Sequence, residues 1–410
     1  MRPYLEILRI PGALKFSSAG LLARSGGAMM GIGLVLMVSG LYGSYELAGA
    51  LAAANGAAWA IGTAVLSNLV DRYGQRRVML PAVVASSIAL ALMVVFAVLQ
   101  LPVWALFPPA IISGATGGAP GALVRARWSH VTDDAHQLHT AFSLESSLDE
   151  LTFVIGPVVA TALATTVHPA SGLVLPVVLS LIGAWLFYSQ RATEPPVLPR
   201  VQAPSGQPAL QRLVLAIPGV GPVIAANLLI GAVFGSIDIT VVAATSSWDA
   251  RAASGIVLGV FSLASAIAGL YYGSRHWNWS LPVRFVVGFA ALMVAAWGLL
   301  LANSVVTLTA VGVAIGLTIA PTLTNGNSLI GRLAPAERLT EGLAWMGTGI
   351  GIGAAFGSSF AGQAIDNAGY HAGFVVVAVC ASLAALIALV SFRVLTRVTR
   401  PAEESLPTVA

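Results

Sequence analysis

Five ionisable side chains sit in stretches of this chain that are otherwise apolar. Three are carboxylates within six residues, Glu145, Asp149 and Glu150, in AFSLESSLDELTFVIGPVVATALA at 141–164. The fourth is Arg24, in GLLARSGGAMMGIG, and the fifth is Asp238, in FGSIDITVV. Crowded carboxylates repel one another, which raises at least one pKa toward neutrality and creates a group that can take up and release a proton. An arginine stays charged and offers five N–H donors, so a buried one must find anions or water. Arg24, Glu145, Asp149 and Glu150 are therefore candidates for a proton-coupling site. Asp238 is a candidate substrate or cation contact, or a residue of an outer gate.

Composition says what surrounds these groups. Of 410 residues, 57% are hydrophobic and 9% charged. Soluble domains carry roughly 25% charged residues, so this chain cannot cover a water-facing surface and reads as an integral membrane protein. The 43 glycines fit, because small residues let membrane helices approach closely. The single cysteine, Cys380, excludes an internal disulfide and a cysteine metal site. Met1–Lys15 is polar and no cleavage site follows the first apolar run, so no cleavable signal peptide is expected.

Apolar runs of roughly 20 residues are long enough to cross the hydrocarbon core. Twelve are expected, at 16–42, 47–69, 78–99, 103–124, 140–166, 171–190, 213–244, 252–273, 281–302, 305–330, 340–364 and 372–395. The expected fold is all-α: residues 1–190 form one six-helix bundle, 191–212 a proline-rich linker, and 213–410 a second bundle with a short tail. With the N-terminus inside, eighteen of the 20 Lys and Arg residues fall on inner segments. Only Arg251 is outside and only Arg24 lies within a run. That asymmetry sets the orientation, with both termini and the linker cytoplasmic. It also accounts for the net charge of +4 without nucleic-acid binding. Arginine far exceeds lysine, which fits a GC-rich bacterial genome and hence a bacterial inner membrane.

The two halves repeat. RIPGALKF before run one matches AIPGVGPV at run seven, an offset of 207. GGAPGALV in run four faces TIAPTLTN in run ten, and HPASGLV faces GYHAGFV, both offset by 201. Duplicated six-helix units are a common transporter design, with the binding site near the midplane.

Between runs two and three stands SNLVDRYGQRRVML, containing Asp71, Arg72, Gly74, Arg76 and Arg77. It resembles the signature loop of the major facilitator superfamily, G-x-x-x-D-R-x-G-R-R, with Ser67 at the first glycine. Gly74 suits a tight turn at positive φ. The resemblance implies a twelve-helix transporter in which this loop clamps the inner gate and the aspartate sits near the inner end of helix eleven. In the second half, YYGSRHWNW keeps Arg275 but has Ser274 at the Asp71 position, an asymmetric clamp. Gly156-Pro157 on the fifth run is similar to a helix-five motif of drug-exporting members, with Ala160-Thr161 in place of its glycine pair. Helix four has Ala110 where many members carry an arginine before Gly114, so no coupling role passes to that position.

Entering from the inner side near Leu138, Glu145 is expected roughly 10 Å deep and Asp149 and Glu150 roughly 16–18 Å deep, at 1.5 Å per residue. A charge there costs about 2.5–3.5 kcal/mol and needs a partner, a wet cavity or a proton. Arg24 lies at matching depth, and the resemblance puts helix one beside helix five, so these groups are expected to pair. The alternative is that the acids cap the inner surface. Asn325, Asn327, Met30 and Trp345 are further candidates for the substrate cavity, and Met29 and Trp59 for an adaptable apolar pocket. His130, His136 and His139 precede helix five without a metal-ligand spacing. Nucleotide-binding loops, nucleophile elbows and zinc motifs are absent, so neither an enzyme nor a cofactor is expected. The reading is a monomeric secondary transporter exchanging protons for small, partly apolar compounds. Proton-coupled uptake of a polar metabolite and uncoupled facilitation are the alternatives, with a transporter-like receptor a third.

Overall fold

A computed structural model describes residues 2–132, 135–197, 214–273, 277–334 and 339–403. Ser274, Arg275 and the linker beyond residue 197 lie outside the described residues, as do the side chains of Glu150, His136 and His139. Among the described residues the regular elements are helices: α1 (Arg2–Leu8), α2 (Ala13–Tyr42), α3 (Tyr45–Tyr73), α4 (Gln75–Val98), α5 (Phe107–Gly117), α6 (Pro120–Val131), α7 (Ala135–Thr166), α8 (Ser171–Tyr188), α9 (Val220–Ser247), α10 (Ser254–Gly273), α11 (Leu281–Trp297), α12 (Val305–Leu333), α13 (Leu339–Ala368) and α14 (Tyr370–Glu403). Ten of them are long and apolar enough to cross a membrane. Each of the twelve apolar runs coincides with helix.

Run four differs from an uninterrupted span. The helix stops at Gly118–Ala119 and restarts at Pro120, giving the shorter α5 and α6. Trp59 Nε1 donates to the Gly118 carbonyl at 2.9 Å and satisfies an acceptor that the break frees. The polar N-terminus forms α1, a helix that hydropathy does not reveal.

The chain divides into two compact units, Met1–Val201 with Asp249–Gly259, and Gln202–Trp248 with Val260–Ala410. In the first, α2 packs against α8, α7 and α6, and α3 and α4 against α5. A core at the N-terminal end of α2 gathers Phe16, Met79, Val124, Trp128, Phe187 and Tyr188. Arg251 donates to Leu36 O at 3.0 Å and Ser39 Oγ at 2.6 Å, tying segment Asp249–Gly259 to the end of α2. In the second unit α9 packs against α13, α14 and α12. The repeat is visible in local geometry: Gly12 and Gly219, 207 positions apart, both occupy the left-handed region, at φ 87° and 92°, and each opens a long helix after an Ile-Pro pair.

Candidate functional site

The site is built on α7, whose polar first half enters the bundle beside α2. Glu145 is fully buried. Its Oε2 accepts Arg24 Nη2 at 2.5 Å, and its Oε1 accepts Ser17 Oγ at 2.6 Å and Trp128 Nε1 at 2.7 Å. One turn further, Asp149 Oδ1 lies 2.8 Å from Arg24 Nε, an ion pair whose angle falls short of a hydrogen bond. Asp149 Oδ2 accepts Arg125 Nη2 at 2.8 Å. Arg125 is steadied by its own helix, Nη1 donating to Gly121 O at 3.2 Å. The result is a chain of alternating charge, Arg125–Asp149–Arg24–Glu145.

Burial is graded along it. The Arg24 and Glu145 side chains are 7% and 0% exposed, and those of Asp149 and Arg125 27% and 30%. Glu145 accepts three donors and has no solvent exposure, which suits a structural role. Asp149 is shared between two guanidiniums and is partly exposed. Arg24 Nη1 is buried with no hydrogen-bond partner among the described residues.

Packing explains the register. A Cβ on Gly156 would stand 3.1 Å from Ala28 Cβ and 3.3 Å from Met29 Cγ. The bare Cα therefore lets α7 lie close on α2, one turn beyond Arg24. Trp128 packs edge-on against Phe16, ring centroids 4.8 Å apart, which leaves its N–H as the polar end aimed at Glu145. Arg125 and Trp128 reach the network because α6 is a separate helix after the break in run four. The apolar run ends at residue 124, so sequence reasoning counts Arg125 among inner-surface cations and gives Trp128 and Ser17 no role. The i, i+3 spacing of Arg125 and Trp128 on a helix facing the same end as Glu145 is the signal that could have found them.

The signature loop lies at the end of α3. Gly74 adopts φ 89°, and its N–H bonds Val70 O at 2.8 Å. Asp71 and Arg72 are exposed, Arg72 over the Tyr73 ring. Asp71 makes no hydrogen bond or ion pair to a described residue. Glu194 from the start of the linker instead accepts the Arg76 N–H at 2.9 Å, placing a carboxylate at the N-terminus of α4. Below it, Arg127 is fully buried, bonded to Gln75 Oε1, Gln190 O and Thr193 Oγ1 at 2.9–3.0 Å and stacked over Phe187. Burial draws its guanidinium down to about 10, against the opposing charge of Glu194, so it remains cationic at neutral pH.

The other candidates are scattered. Asp238 on α9 is partly exposed and has no partner among the described residues. Asn325 is buried with both amide ends engaged, accepting Tyr272 OH at 2.8 Å and donating to Arg284 O at 3.2 Å, so it joins α12 to α10 and α11. Asn327 and Trp345 are exposed, Met30 is half-buried and Met29 buried. Among the described residues no His, Cys, Asp and Glu cluster could hold a metal.

The sequence matches the Major Facilitator Superfamily over residues 16–297 and 223–408. The chain belongs to that superfamily. It is a membrane transporter, not an enzyme. Similar solved structures include a mutant of the nucleoside transporter NupG, with TM-score 0.74 and 13% identity over 93% of this chain and 99% of that one. An auto-inhibited peptide transporter of the POT family aligns with TM-score 0.71 and 13% identity over 94% and 97%. The human organic anion transporter MFSD10 aligns with TM-score 0.63 and 14% identity over 92% and 99%. At such identities the likeness is one of fold. Comparison with curated proteins found no match.

Proposed function

We propose that this superfamily member is a monomeric, proton-coupled secondary transporter of a bacterial inner membrane, its termini cytoplasmic, exporting small, partly apolar compounds by alternating access. The reading rests on Asp149, held between Arg24 and Arg125 yet more than a quarter exposed. A proton on Asp149 cancels its charge and frees Arg125, while Glu145 keeps Arg24 in place. One carboxylate thus holds structure and its neighbour carries the proton. Glu150 adjoins Asp149 in sequence and shares that role. Asp238, alone in α9, supplies a cation or substrate contact. Export is supported by the Gly156-Pro157 pair, and substrate apolarity by Met30 and Trp345.

A second reading is favoured by Arg24 Nη1, which has no hydrogen-bond partner among the described residues. An unmatched guanidinium donor suits a carboxylate or phosphate on the substrate, and neighbours in fold carry nucleosides, peptides and organic anions. On that reading the chain takes up a polar, anionic metabolite.

Purified protein in liposomes with an imposed pH gradient separates these. With Asp149→Asn, gradient-driven transport is expected to vanish while substrate exchange at equal pH persists. Normal pH dependence in both Asp149→Asn and Asp149→Asn/Glu150→Gln would refute proton coupling at this site. Competition by small organic anions, lost in Arg24→Gln, would favour the second reading.

A further inference from the structure

Two cavities of the first unit share a wall. One, of about 460 Å³, opens at the signature-loop end and is lined by Arg76, Arg77, Arg191, Tyr73 and Glu194, with Leu80 beneath. The other, of about 440 Å³, is lined by apolar side chains alone, among them Leu80, Val83 and Val84 of α4 and Leu181, Ile182 and Trp185 of α8. Leu80 belongs to both. Each is within the range of about 300–1,000 Å³ typical of small-ligand sites.

The arrangement follows from the sequence. α4 begins with Gln-Arg-Arg and turns apolar, with positions 76, 80 and 84 following one another at i, i+4 spacing. α8 runs apolar to its end, and Arg191 follows it. Because α4 starts where α8 ends, both helices put their cations at the same rim and their apolar surface below it. None of the three guanidiniums has a hydrogen-bond or ion-pair partner among the described residues. Glu194, the one acid in the cavity, is already engaged by the Arg76 N–H. Trp185 is 62% exposed, the position of an aromatic side chain at a membrane interface. From Arg76 to Val84 the helix descends about 12 Å, so the pair of cavities runs from headgroup level into the acyl region.

We propose that the two cavities form one site for an anionic diacyl phospholipid, its phosphate among Arg76, Arg77 and Arg191 and one acyl chain in the groove between α4 and α8. Three cations against one committed carboxylate select an anionic headgroup over a zwitterionic one. A water-soluble phosphate would leave the adjoining apolar groove unfilled. The site is separate from the Arg24 network and does not depend on the coupling mechanism. Its occupant would pin the start of α4 to the end of α8, beside the Glu194 contact.

The test is native mass spectrometry of the full chain in detergent, titrated with phosphatidylglycerol, phosphatidylcholine or glycerol phosphate. Phosphatidylglycerol is expected to bind at least about tenfold more tightly than phosphatidylcholine, and glycerol phosphate not to displace it. Each basic residue near a membrane surface contributes about 1 kcal/mol, or about fivefold. Arg77→Gln/Arg191→Gln should therefore weaken phosphatidylglycerol about 25-fold and bring it near phosphatidylcholine. Val84→Trp, which fills the groove, should weaken both lipids. Equal binding of the two lipids by the wild-type chain would overturn the proposal. So would displacement by glycerol phosphate, or unchanged binding in the double variant. Should the double variant not fold, Arg191→Gln alone, expected to cost fivefold, and the wild-type comparisons still decide.

Discussion

Arg24→Ala tests the network most directly. It removes the only cation paired with Glu145 among the described residues and leaves that carboxylate fully buried with just Ser17 and Trp128 as donors. Breaking a buried ion pair by deleting one partner typically costs about 3–5 kcal/mol, because the other charge is left uncompensated. Asp149 loses less, since it keeps Arg125 and is partly exposed, where pairs contribute about 0–1 kcal/mol. The deficit should therefore belong to Glu145. Arg24→Ala/Glu145→Gln should recover much of it, short of a residual of about 1–3 kcal/mol for the new amide N–H left without an acceptor. Arg24→Ala/Asp149→Asn should recover little. The assay is the fraction of detergent-solubilised protein that stays monodisperse after heating. Midpoints are expected in the order wild type, Arg24→Ala/Glu145→Gln, then Arg24→Ala and Arg24→Ala/Asp149→Asn together. If neutralising Asp149 rescues Arg24→Ala as well as neutralising Glu145 does, the graded network is the wrong account.

Trp128→Phe keeps the packing on Phe16 but deletes a donor to a charged oxygen, so the same heating assay should show a loss of about 1.5–3 kcal/mol, and an unchanged midpoint would count against that bond. Gly156→Ala forces a Cβ within 3.1 Å of Ala28 and should cost about 1–3 kcal/mol by overpacking, with Gly156→Leu abolishing folded yield; a fully stable Gly156→Leu would show that α2 and α7 are not in close register. On the topology side, a cysteine at Ser205, in a chain whose Cys380 has been replaced by alanine, should resist an impermeant thiol reagent in intact cells; labelling from outside would reverse the orientation.

The helices were legible because a membrane span announces itself by length and hydropathy, and the Ile-Pro-Gly turns because a repeated left-handed position repeats its residues. Arg24, Glu145 and Asp149 were legible for a related reason: a charge at that depth has few places to go. What hydropathy could not show was the interruption at Gly118–Ala119, since both pieces are apolar. With α6 unrecognised as a separate helix, Arg125 and Trp128 lay outside the expected span and their part in the network stayed hidden. Glu194 was hidden for the opposite reason, because a proline-rich polar stretch reads as a spacer even where its first residues fold back onto Gly74 and Arg76. Asn325 shows the limit of residue type alone: an amide in a span serves a cavity or a neighbouring helix, and only its two engaged ends tell which.

The alternating chain on α2, α6 and α7 has two positive and two negative members and so no net charge. A neutral group that shifts across part of the bilayer does no work against the membrane potential. On the proposed coupling, a proton on Asp149 would leave the same four side chains with a charge of +1, and a unit charge crossing the full potential exchanges about 2.3 kcal/mol per 100 mV. Voltage would then act on one limb of the transport cycle and leave the other unaffected. The pH gradient and the membrane potential would be read at one and the same carboxylate.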